Sequence, residues 1–145
     1  MRRNILIGII VVIIVAVAPF VILFSVGGAK ERLLDDVTYI GYKQDEWLTR
    51  EFTISGEERG WKLSYNLDAD NATTRYSAYV LKCDVRTFLT FKSPSEWENL
   101  VVWKSEGGNP MKGETTPIDT TGTYTFIFKA SVGGIGRYKL MLVRP

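Results

Sequence analysis

The chain has 145 residues, no histidine and a single cysteine, Cys83. Without an imidazole there is no Ser–His or Cys–His nucleophile, no histidine metal ligand and no histidine pH switch, and one thiol makes no internal disulfide. Arg2 and Arg3 carry the formal net charge of +2, so the remainder is neutral and offers no basic stretch to nucleic acid.

Ile5 to Val26 is a continuous run without a charged residue. As a helix it would extend roughly 33 Å, enough for the hydrocarbon core of a bilayer. The run therefore predicts a single N-terminal transmembrane helix, with the lipid bilayer as its partner over residues 5–26. Arg2 and Arg3 place the N-terminus in the cytoplasm and the following domain outside it. A cleaved signal peptide is the competing reading, through Ala16-Val17-Ala18 or Gly27-Gly28-Ala29. Pro19 would sit beside the first scissile bond, and the apolar run before the second is longer than a signal peptide needs. The expected division is an anchor over 1–29, a juxtamembrane linker over 30–36 and an extracytoplasmic domain over 37–145.

Strand signals begin after the charged linker, which could add one helical turn to the span. Val37–Tyr42 and Trp47–Ile54 are the first two expected strands. In the third, Trp61, Leu63, Tyr65 and Leu67 alternate with Lys62, Ser64, Asn66 and Asp68, a period of two that marks one buried and one wet face. Ser77–Cys83 is apolar on both sides, as a central strand is, and Cys83 reads as a small buried hydrophobe. Then Asp84 looks like an N-cap, and Val85, Phe88 and Phe91 recur every third residue, which predicts a short helix. Ser93–Glu96 ends it. Leu100–Lys104 reads as a strand, Glu106–Pro110 as a loop and Glu114–Ile118 as a short edge strand, because Pro117 cannot donate to a ladder. Thr123–Ala130 and Tyr138–Val143 close the chain, joined through a turn at Ser131–Gly136.

About seven or eight strands with turn signals between them, and one short helix, define an all-β antiparallel sandwich of jelly-roll or Greek-key type after the membrane helix. The stretch Gly122-Thr-Tyr-Thr-Phe, followed by a polar loop and one last strand, resembles the ending of GOLD (Golgi dynamics) domains. That resemblance, over roughly Trp47 to Val143, implies a β-sandwich that binds proteins or lipids and does not catalyse. In GOLD-containing trafficking receptors the membrane span follows the domain, whereas here the apolar run precedes it.

Few residues suggest a site. Asp68, Asp70 and Asn71 place three oxygen ligands close together, but Ala72 and Thr73 stand where a Ca²⁺ loop needs a ligand and a glycine, so a solvated turn is expected. Asn71-Ala72-Thr73 is a glycosylation sequon. Trp97, beside Ser95 and Glu96, is the tryptophan expected to be exposed and able to stack on a sugar. If the last two strands form a hairpin, with Phe126 opposite Leu142 or Leu140, then Ile127, Met141 and Val143 meet on its outer side. Such an aliphatic patch needs covering by the short Val85–Phe91 helix, by the linker folding back, by a partner or by a second copy. No catalytic, cofactor or metal residues are expected. The functional expectation is a non-catalytic protein-interaction module of the cell envelope, engaging another envelope protein or itself. A carbohydrate- or cell-wall-binding module is the alternative.

Overall fold

The period-two pattern sets most of the strands and the face each one buries. The computed structural model describes residues 30–145, and Glu31–Pro145 form one unit. The predicted anchor over 1–29, with its topology, lies outside the described residues. Among the described residues no helix is long and apolar enough to cross a membrane. The strands are β1 (Glu31–Tyr42), β2 (Leu48–Ile54), β3 (Lys62–Ala69), β4 (Arg75–Leu81), β5 (Val101–Gly108), β6 (Met111–Glu114), β7 (Gly122–Ala130) and β8 (Gly134–Val143). One helical turn, α1 (Val85–Phe88), lies between β4 and β5.

The strands form two antiparallel four-stranded sheets, ordered β1-β8-β3-β6 and β2-β7-β4-β5. Among these eight, β4 and β5 are the one pair both consecutive in sequence and adjacent in a sheet. Every other connection crosses between sheets, as jelly-roll connections do. The expected all-β sandwich is therefore present.

Between the sheets, Leu63, Leu67, Leu140 and Leu142 of the first meet Tyr76, Val80, Tyr124 and Phe126 of the second, all at most 1% exposed. Aromatic rings join the layers: Tyr65 lies 5.1 Å from Trp103, and Tyr42 stands edge-on to Phe128 at 6.0 Å. Gly122 opens β7 with φ of 137°, a conformation glycine adopts without steric cost.

Three expectations change. First, the linker over 30–36 is strand: Glu31, Arg32 and Leu33 pair with Val143, Leu142 and Met141, and after a register shift Asp35 and Asp36 pair with Leu140 and Lys139. Its charges do not mark a linker because they close the sandwich edge. Arg32 donates to both Glu58 carboxylate oxygens (2.7 and 3.0 Å) and to the Thr53 carbonyl (2.8 Å). Asp35 accepts from the Tyr138 hydroxyl at 2.8 Å and lies 3.6 Å from Arg50.

Second, β7 and β8 are not a hairpin. β7 pairs with β2 and β4, while β8 pairs with β1 and β3 in the opposite sheet. Phe126 and Leu142 therefore share the core between the sheets and not a ladder, and the inward faces of both strands are buried in that core.

Third, the β5–β6 region shifts. Glu106–Gly108 belong to β5, and the strand expected over 114–118 shrinks to the end of β6 plus a bridge between Trp61 and Ile118. α1 is also shorter than its spacing suggests, although Asp84 caps it as expected, accepting the Thr87 N–H at 2.7 Å.

Candidate functional site

Central strands that are apolar on both faces need cover on both faces, and β7 and β4 are such strands. Tyr124, Phe126 and Phe128 point into the core, while Ile127 points outward with Tyr79 and Leu81. The cover is the β4–β5 connection, residues 82–100, which folds over the outside of the second sheet as a third layer. Its start is tied down by two hydrogen bonds. The Thr125 hydroxyl donates to the Cys83 carbonyl (2.8 Å), and the Val85 N–H donates to the Glu51 carboxylate (2.9 Å).

Phe88 and Trp97 from this layer pack with Leu81 and Ile127 into a second cluster. Trp97 stands edge-on to Tyr79 at 5.1 Å and to Trp47 at 5.8 Å, and the Lys129 ammonium lies 4.9 Å from the Trp47 ring centre. Cys83 is half-buried beside the cluster. Burial and then the neighbouring Asp84 charge push its thiol pKa up, which suits a packing residue more than a nucleophile.

Trp97 is thus 5% exposed, not the free stacking ring expected from its polar neighbours. A 3-10 turn over Pro94–Glu96 makes the difference. The Glu96 carboxylate reaches back to accept the N–H groups of Ser93 (2.8 Å) and Lys92, and the chain re-enters with Trp97 directed onto the sheet. The polar residues before Trp97 cap a turn.

The layer leaves a cleft on each side of Pro94 and Trp97. The larger, of about 490 Å³, lies against β4 and β5 and is lined by Tyr79, Trp97, Glu98, Val102 and Lys104 among others. The smaller, of about 230 Å³, is lined by Trp47, Phe88, Leu89 and Phe91. Leu89 (70% exposed) and Val102 (45%) bring apolar surface to their rims. The larger cleft runs along Val101–Lys104 of β5, an outermost strand. It therefore combines apolar walls, an anion, a cation and a strand edge.

The other expected site residues do not converge here. Ile127 is fully buried under the third layer, so the short helix does cover it, as one of the four expected covers. Met141 and Val143 lie half-buried on the outside of the other sheet, where Leu33, 56% exposed and paired with Met141, joins them. The three-residue patch is divided because its hairpin does not exist. Asn71 is exposed, and its side-chain carbonyl accepts both the N–H (3.0 Å) and the hydroxyl (2.7 Å) of Thr73. Asp68 is held by Arg137 at 2.6 Å, and Asp70 accepts the Ile135 N–H at 3.1 Å. Among the described residues no group of three or more acidic or cysteine side chains comes together to hold a metal.

Fold and cleft together define a β-sandwich with one covered outer face. No protein-family model matches the sequence, and no curated protein matches it either. Among solved structures, a family two carbohydrate esterase from Cellvibrio japonicus aligns at 8% identity and a TM-score of 0.41, over 80% of this chain and 31% of the esterase. The carbohydrate-binding module CBM36, in complex with calcium and xylotriose, aligns at 7% identity and a TM-score of 0.39, over 78% of this chain and 98% of the module. Dimeric latent PorU from Porphyromonas gingivalis aligns at 11% identity and a TM-score of 0.35, over 81% of this chain and 14% of PorU. The chain thus spans less than a third of the esterase's length. At identities and TM-scores this low, none of the three bears on function.

Proposed function

We propose that this chain is a membrane-anchored, non-catalytic protein-interaction module, with its β-sandwich outside the cytoplasm and its larger cleft as the recognition site. The anchor and orientation rest on the apolar run 5–26 and on Arg2 and Arg3 before it. One observation carries the recognition site: apolar walls and an outermost strand lie in the same cleft. An extended segment entering there adds a strand through main-chain hydrogen bonds and sets alternate residues alongside Val102 and Lys104. The resemblance of Gly122–Phe126 to GOLD domains supports the same kind of role. Carbohydrate binding is the second reading, favoured by Tyr79 lying with Ser95 and Glu98 in one cleft.

Site-specific photo-crosslinking of the full-length chain in cells separates the two readings. A photoreactive residue at Val102 is expected to capture protein, and the same residue at Lys112, on the other sheet, is not. Identical adducts from both positions, or none from Val102, would remove the cleft as a protein site. Retention on a glycan that disappears with Glu98→Gln would move the assignment to carbohydrate.

A further inference from the structure

The strand edges of the two sheets are treated unequally. The sandwich edge between β1 and β2 is closed by arginines, since Arg32 donates to the Thr53 carbonyl and Arg50 to the Leu34 carbonyl at 3.0 Å. β6, the outer strand at the other end of the first sheet, has only four residues, Met111–Glu114. β5 is twice as long, with eight. One side of β5 pairs with β4. Among the described residues, apart from the Val101 N–H, which donates to the Glu98 carbonyl, no hydrogen bond outside that ladder reaches the backbone of 101–108. Alternate N–H and C=O groups of an outermost strand point away from its sheet, and an open row of them recruits another strand.

The side chains of this edge complement themselves. Lys104 and Glu106 are both exposed on the outer face, and among the described residues neither has an ion-pair partner. If two copies of β5 run antiparallel about Ser105, Lys104 of each copy falls opposite Glu106 of the other. Two reciprocal ion pairs result, as a two-fold interface requires. Val102, 45% exposed, then falls opposite Gly108. A Cβ placed on Gly108 would meet nothing within 4 Å, so there is open space where the opposing valine arrives. Trp103 falls opposite Gly107. Bulky residues meet glycines throughout, and opposite charges meet in the middle.

We infer that the free edge of β5 pairs antiparallel with β5 of a second copy of this chain about a two-fold axis through Ser105, joining two four-stranded sheets into one of eight. This names the occupant of the cleft proposed above and rests on that reading.

The test uses the full-length chain in detergent micelles. Ser105→Cys is expected to give a disulfide-linked dimer under mild oxidation. Directly opposed residues of antiparallel strands have Cα atoms about 4.5–5.5 Å apart, within disulfide range. The parent chain, with its half-buried Cys83, and Ser64→Cys on the other sheet are the controls and stay unlinked. Lys104→Glu or Glu106→Lys alone sets like charges opposite each other twice, and should weaken association about tenfold or more. The double swap Lys104→Glu/Glu106→Lys should restore it. Circular dichroism confirms that these surface variants stay folded. A monomer at all concentrations, a dimer that Ser105→Cys does not link, or a double swap that fails to restore pairing would each overturn the proposal. Association through residues 5–26 would appear as a dimer indifferent to the charge pair, and would overturn it too. A different protein captured from Val102 while the chain stays monomeric would leave the cleft as a protein site and remove only the second copy from it.

Discussion

Glu58 is a carboxylate at 9% exposure in a 3-10 turn. Burial by itself would raise its pKa. The Arg32 guanidinium and the Ser55 N–H, at 3.2 Å, outweigh burial and hold the carboxyl below its usual range. A carboxylate whose folded pKa is depressed adds stability above its unfolded pKa, about 4.3, and that stability is lost as pH falls through the folded value. Because the Arg32 side chain is 42% exposed, solvent screening limits the pair to about 1 kcal/mol. Glu58→Gln should therefore lower the urea-derived stability by about that amount at neutral pH, with the gap to the parent closing below pH ~4. A gap that persists unchanged in acid would mean the ion pair is not its source. None of this was legible in the sequence. Arg32 and Glu58 are 26 residues apart, and spacing does not report a pairing made by a fold. Gly136 was obscure for a related reason. It reads as part of a turn, yet it is strand, and the missing side chain lets the Tyr42 ring and the Asp68 carbonyl lie against it.

The β4–β5 connection behaves as an element in its own right, held by the Trp97 cluster and a few ties and lying outside the sandwich core. Trp97→Ala should cost about 3–5 kcal/mol where the layer meets the sheet. The amides over Phe88–Trp97 should then exchange with solvent much faster, while those of β3 and β8 keep their protection. Uniform loss of protection across both sheets would show that the third layer is not a separable unit. Its helical turn was readable from Asp84 and the three-residue spacing after it. Trp97 was misleading because Ser93 and Glu96 serve a turn cap, and polar neighbours in sequence then say little about which way the ring points. The clearest signal for the layer was in the strands beneath it. Tyr79 and Leu81 are apolar on the side away from Val80, and Ile127 on the side away from Phe126.

At the level of the whole molecule, alternation identified a sandwich but not which strands pair. Hairpin reasoning assumes that neighbours in sequence are neighbours in a sheet, and here that holds only for β4 and β5 among the described strands. The misassigned β7–β8 pair follows directly. β8 is instead an inner strand of its sheet, with β1 on one side and β3 on the other. A chain ending before Gly134 should therefore lose cooperative unfolding and become protease-sensitive throughout, even though most of the strands remain. A truncated chain that keeps a sharp thermal transition would contradict this. The β1–β8 ladder also has a consequence for the order in which the protein is made. β1 is the first strand of the sandwich to leave the ribosome, and its one ladder partner is the last. At about 5–20 residues per second, β1 waits on the order of 5–20 s for Gly134–Val143. During that interval the apolar faces of β3 and β7 have been synthesised but cannot be sealed. The nascent chain is thus most exposed to aggregation until Gly134–Val143 have emerged, and a chaperone that shields it matters most while those ten residues are being made.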